Sequence, residues 1–149
     1  MKRLGATMIL LMALLVADAI PASAQSAADS AAVIATALDY IDGYYTSDGQ
    51  RMERAVHPDV AKRIVRAPDG PDSQLQHMTA TRLIEITAGG GARQIPESDR
   101  KEDVEILDIY NNVASVRIDA GPWIDYLHVV RWNGEWKIIN VLWELAPSN

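Results

Sequence analysis

Apolar positions fall at helical spacing in the first third of the chain and at alternating spacing in the last third. From about Ala32 to Tyr45, Val33, Ala37, Tyr40/Ile41 and Tyr44 form a stripe, widened by Ile34, Leu38 and Tyr45. Asp39 and Asp42 lie off it, so the segment predicts an amphipathic helix with a broad buried face. A short second helix is predicted over Asp48–Val56, capped by Ser47 with Gln50 and stopped by Pro58. Lys62–Arg66 (KRIVR) reads as a short strand and 67–73 (APDGPDS) as a turn-rich loop. A third helix is predicted over Thr79–Ala88, with Leu83, Ile84 and Thr87 inward, ended by Gly89-Gly90-Gly91.

Four strands follow: Val104–Tyr110, Val113–Asp119, Trp123–Trp132 and Glu135–Leu145. Asn111-Asn112 and Asn133-Gly134 separate them in pairs, and Asn-Gly is a strong two-residue hairpin signal. Helices followed by an antiparallel meander make an α+β fold.

The hairpins assign faces. Pairing outward from Asn133-Gly134 sets Val129 opposite Ile138, Leu127 opposite Asn140 and Asp125 opposite Leu142. One face then carries Asp125, Leu127, Val129, Trp136, Ile138, Asn140 and Leu142. The other carries Ile124, Tyr126, His128, Val130, Trp132, Ile139, Val141 and Trp143. In the first hairpin Leu107, Ile109, Ala114, Val116 and Ile118 share a face.

The N-terminus adds a processing signal. Lys2 and Arg3 precede an apolar run from Leu4 to Val16, then Pro21 and Ala22-Ser23-Ala24 before Gln25. A basic start, a short apolar stretch and an A-x-A site mark a signal peptide over residues 1–24, removed after Ala24. The run is too short to cross a bilayer, so no stable membrane anchor is expected after cleavage and the product is periplasmic or secreted. Residues 25–31 (QSAADSA) read as a flexible lead-in, and 32–146 as one domain.

Charge and composition narrow the chemistry. A net charge of −6 gives no reason to bind nucleic acid. With no cysteine there is no disulfide, thiol nucleophile or thiolate metal ligand. His57, His77 and His128 lack the close spacing of a metal motif, and the glycine run lacks the flanking residues of a phosphate loop. No metal or cofactor is expected. The candidate site is Asp125 with Asn140 among apolar neighbours such as Leu127, with Tyr40 or Tyr44 of the first helix opposite. A carboxyl in apolar surroundings beside a tyrosine suits proton transfer, so Asp125, Tyr40 and Tyr44 are the candidate catalytic residues. The second face, with Tyr126, His128, Val141 and Trp143, is too apolar to be left wet and predicts a homodimer through the sheet.

The run Trp123-Ile-Asp-Tyr-Leu-His128, followed by Asn133-Gly-Glu-Trp-Lys-Ile-Ile-Asn-Val-Leu-Trp-Glu144, resembles the putative lumazine-binding family of the nuclear transport factor 2-like superfamily. The segments 37–45 (ALDYIDGYY) and 51–59 (RMERAVHPD) are similar to it as well, as is the pair Asp108-Ile-Tyr and Ala114-Ser-Val116. The resemblance implies a cone-shaped, curved antiparallel sheet wrapped around a long N-terminal helix, with a pocket at the open end. It also implies dimers through the sheet. The superfamily hosts many activities, so fold alone selects none. Three readings follow: an exported protein binding a small apolar or aromatic ligand; an acid/base isomerase, dehydratase or cyclase using a pocket Asp with a Tyr; and a non-catalytic structural dimer with a filled pocket.

Overall fold

The computed structural model describes residues 22–147, with side chains from residue 27 onward. Most of the expected signal peptide therefore lies outside the described residues. Helix α1 runs Ala22–Thr46, α2 Gly49–Ala55 and α3 Ala80–Ala88. The strands are β1 (Val56–Arg66), β2 (Gln74–Thr79), β3 (Asp103–Tyr110), β4 (Val113–Asp119), β5 (Trp123–Trp132) and β6 (Glu135–Leu145). They form one sheet in the order β2-β1-β6-β5-β4-β3. Every neighbouring pair is antiparallel except β1 and β6, which run parallel.

The stripe of α1 buries Val33, Ala37, Tyr40, Ile41 and Tyr45 against the inner face of the sheet. That face contributes Ala114, Val116 and Ile118 from β4, Leu127 and Val129 from β5, and Ile138 and Val141 from β6. The helix begins earlier than the apolar stripe does. Residues 25–31, expected as a flexible lead-in, are helical, and Asp29 is paired with Arg131 of β5. An alanine-rich polar stretch has good helix propensity, and one ion pair to the sheet gives it a place to dock.

Asp48, not Ser47, caps α2: its carboxylate accepts from the Arg51 amide at 2.9 Å. The chain then passes directly into β1, a strand of 11 residues rather than the five expected. His57 and Pro58 thus lie in a strand, not at a helix end. Strand β2 was not anticipated, because its exposed residues lack an alternating apolar pattern.

The four C-terminal strands match their expected boundaries within one residue, and Asn133 (φ 51°) and Gly134 (φ 84°) supply the left-handed turn. Two β-bulges interrupt the alternation among these four strands, and a further register shift lies in β1 between Val56 and Ala61 where it pairs with β6. In β3, Ile106 opposes Val116 while Asp108 opposes Ser115, so Leu107 is the extra residue and is 49% exposed. Ile106, not Leu107, shares the inner face. In β6, Ile138 opposes Val129 while Asn140 opposes His128, so Ile139 is extra. A bulge adds one residue to one strand, bends it and tightens its twist. The sheet therefore curves around α1, and every side chain beyond the bulge changes face.

Candidate functional site

Beyond Ile139, Val141 opposes Leu127 and Trp143 opposes Asp125. Val141 is fully buried and Trp143 partly so, both on the inner face, while Leu142 is half-exposed outside. Asn140 is therefore not beside Asp125. It lies on the outer face, where its Oδ1 accepts from Arg63 at 3.0 Å and its amide meets His128 at 3.5 Å. The expected placement of Asp125 and Asn140 on one face fails because it requires unbroken alternation across β6.

Asp125 is inside and has no exposed surface. Burying a bare carboxylate costs several kcal/mol unless it is paired and hydrogen-bonded. Here three side chains do that. Lys62 Nζ donates to Oδ1 at 2.5 Å; Trp123 Nε1 donates to Oδ2 at 2.7 Å; the Tyr40 hydroxyl donates to Oδ2 at 3.3 Å. Lys62 also donates to the Tyr40 oxygen at 2.6 Å. Four residues from α1, β1 and β5 thus form one closed network. Burial lowers the Lys62 ammonium below the usual lysine value, against the opposing pull of Asp125. Burial, then the Asp125 charge, push the Tyr40 hydroxyl well above the ordinary tyrosine value.

The network forms one wall of a cavity of about 870 Å³ between α1, α3 and the β2-β1-β6-β5 part of the sheet. Tyr40, Lys62 and Trp123 reach the cavity; Asp125 sits behind them. Tyr44 also lines it, edge-on to Trp123 with ring centroids 5.8 Å apart. Trp143, on β6 beside β5, supplies a further aromatic surface, with Lys62 Nζ 4.9 Å and the Arg66 guanidinium 5.5 Å from its ring centroid. Leu127 is in the packed core instead of the cavity wall. Of the sequence-derived candidates, the structure brings together Asp125, Tyr40 and Tyr44, and separates Asn140 and Leu127 from the cavity.

Lys62, Arg66, Trp123 and Trp143 were missed. The signal for Lys62 was present: Val60, Lys62 and Ile64 occupy the same phase of one strand, and all three are buried. A lysine in the inward phase between two aliphatics demands a buried acid. His77 is at the cavity edge, His57 is buried in β1, and His128 faces outward. Among the described residues no cluster has the makings of a metal site, and no helix is long and apolar enough to cross a membrane.

A family model described as putative lumazine-binding matches residues 28–144. Among solved structures, an NTF2-like protein of unknown function from Shewanella baltica superposes with a TM-score of 0.63 at 18% identity, covering 82% of this chain and 97% of that one. A second NTF2-like protein of unknown function, from Silicibacter pomeroyi, gives 0.60 at 16% identity over 81% and 98%. A domain of unknown function with a cystatin-like fold from Nostoc punctiforme gives 0.53 at 12% identity over 81% and 79%. At these identities the likeness is one of fold. No curated protein matches the chain.

Proposed function

This chain belongs to the putative lumazine-binding family of the nuclear transport factor 2-like superfamily, and from that premise we propose that it is an exported protein that holds a small apolar or aromatic molecule in the α1–sheet cavity. The cavity itself carries the reading. At about 870 Å³ it lies within the range of drug-sized ligand sites, roughly 300–1,000 Å³, and it combines aromatic walls with a few convergent polar groups. An open cone of this size also weighs against a structural dimer with a plugged pocket. Native mass spectrometry of the full chain purified from its own host tests the proposal. A reproducible adduct of a few hundred daltons, lost on Trp123→Ala, is expected; a clean protein mass that no metabolite extract alters would refute it.

One observation favours the catalytic reading as a second. Lys62 and Tyr40 share a 2.6 Å hydrogen bond at the cavity wall, and burial holds the lysine low. In that reading Lys62 or Tyr40 exchanges the proton with substrate, and the enclosed Asp125 positions them. Deuterium incorporation beside the carbonyl of a bound ketone, lost in Tyr40→Phe, would support it; its absence across a ketone panel would leave the binding reading alone.

Export and assembly belong to the same proposal. N-terminal sequencing of protein recovered outside the cytoplasm should begin at Gln25. The outer face of β5 and β6 exposes Tyr126, Ile139 and Leu142 around His128 and Asn140, in place of the expected Val141 and Trp143. We propose that two copies pair there, so light scattering should report twice the processed mass.

A further inference from the structure

The charged groups on the cavity wall are all of one sign. Lys62, Arg66 and Arg82 line it, with His77 beside them, and no Asp or Glu does. This occurs in a chain of net charge −6, where acids outnumber bases by 20 to 14. The three cations are not equivalent. Lys62 is already balanced by Asp125. Arg82 is an exposed side chain of α3 with Glu85 at 3.6 Å. Arg66 has no carboxylate partner among the described residues.

Arg66 is nevertheless held in place. Its Nε donates to Gln76 Oε1 at 3.0 Å, and its guanidinium lies over Trp143. The cation–π contact and the single hydrogen bond, which is solvent-exposed, restrain the guanidinium and leave its terminal nitrogens unspent. A planar, oriented fork is the arrangement that takes a carboxylate through two parallel hydrogen bonds. A neutral ligand filling the cavity would cover those donors without satisfying them, which is costly. A cationic ligand would meet the uncompensated charge of Arg66 and find no free carboxylate on the wall. The acidic remainder of the chain opposes an anion only at longer range, and at physiological salt that field is screened within about 8 Å.

We infer that the ligand is a flat organic acid, its aromatic or polycyclic body against Trp123 and Trp143 and its carboxylate on Arg66. The inference rests on the small-molecule reading and adds the chemical class.

The test uses two probes of nearly the same shape, 2-naphthoate and 2-naphthamide, titrated into the full chain by calorimetry and tryptophan fluorescence. Naphthoate should bind at least about tenfold tighter, the scale of a charge-assisted fork. Arg66→Gln should weaken naphthoate about tenfold and leave naphthamide unchanged, while raised salt should weaken naphthoate alone. Should Arg66→Gln unfold, the preference of the unaltered protein decides. Equal affinity for both probes, or an equal loss of both in Arg66→Gln, overturns the acid and leaves the cavity reading standing. Failure of both probes to bind at millimolar concentration overturns the cavity reading and this inference with it.

Discussion

The two ends of the layer between α1 and the sheet are built from the same elements and finish differently. Toward the start of α1, Val33 and Ala37 meet Ala114, Val129, Trp136 and Ile138, and all six are buried with apolar contacts. Toward its end, Tyr40 and Tyr44 meet Lys62, Trp123, Asp125 and Trp143, and a cavity remains. Alanines and aliphatics let a helix settle onto a sheet at close-packed density. Rings and a buried ion pair must keep their hydrogen bonds, so they cannot collapse to fill the space around them. The first end supplies stability and the second supplies a site held in shape by its own polar network.

The largest effect should come from breaking that network. Asp125→Asn leaves the Lys62 charge buried beside a neutral amide, and losing one partner of a buried pair costs about 3–5 kcal/mol. Lys62→Met should cost a similar amount, and the double variant Lys62→Met/Asp125→Asn should cost clearly less than the two single changes added together. Urea unfolding of the four proteins checks this, and a strictly additive cycle would show that the pair is not a unit. Three donors surround the carboxylate, so neutralising it strands a buried lysine instead of relieving a lone buried charge.

Packing comes next. Ile138→Ala at the closed end should cost roughly 3 kcal/mol, since the neighbours that would have to refill the space are themselves fully packed. Ile86→Ala, on the cavity wall of α3 and only partly buried, should cost about 1 kcal/mol, because one side already faces open space. Equal costs in chemical denaturation would mean that the two ends are packed alike.

The alkaline limb separates the ends more finely. Burial raises Tyr45 to about 12, raises Tyr44, and raises Tyr40 furthest, with Asp125 adding to each. A hydroxyl whose folded value exceeds its unfolded value keeps its proton longer in the folded state. Its contribution to stability is complete below about pH 10 and is lost as pH rises toward and through 12. Lys62 has the opposite sign: its lowered folded value means the unfolded chain binds more protons, so deprotonation relieves a cost as pH rises toward the unfolded lysine value. Three tyrosines outweigh one lysine, so stability should fall above pH 10. Lys62→Met should steepen that fall, and a flat profile to pH 12 would refute the burial of these hydroxyls.

Much of this architecture is written in local pattern. The stripe of α1, the four C-terminal strands and the Asn133-Gly134 turn are legible because period and turn chemistry are properties of short windows. The inward placement of Asp125 follows from the same alternation. A bulge is not such a property: nothing in Ile138-Ile139-Asn140 or Ile106-Leu107-Asp108 announces which residue is extra. One uncounted residue therefore sent Asn140 and Leu142 to the wrong face and hid Trp143. Lys62 is legible as an inward lysine between Val60 and Ile64, but its partner is not: Asp125 lies 63 positions away, and it takes the pairing of β1 with β6 and of β6 with β5 to bring the two together.

The smallest expected effect lies across the sheet. Asn140→Ala removes hydrogen bonds to Arg63 and His128 on the outer face and should leave 2-naphthoate affinity unchanged, with stability altered by no more than about 1 kcal/mol.

The division between a closed end that stabilises and an open end that binds is tested most directly by an amide and indole NMR titration of the full chain with 2-naphthoate. The predicted result is saturable shifts in the Trp123 and Trp143 indoles and in the amides of residues 62–66, with Val116, Ile138 and the outer-face residues Tyr126 and Leu142 unmoved. Shifts centred on Tyr126, Asn140 and Leu142, with the two indoles still, would contradict it.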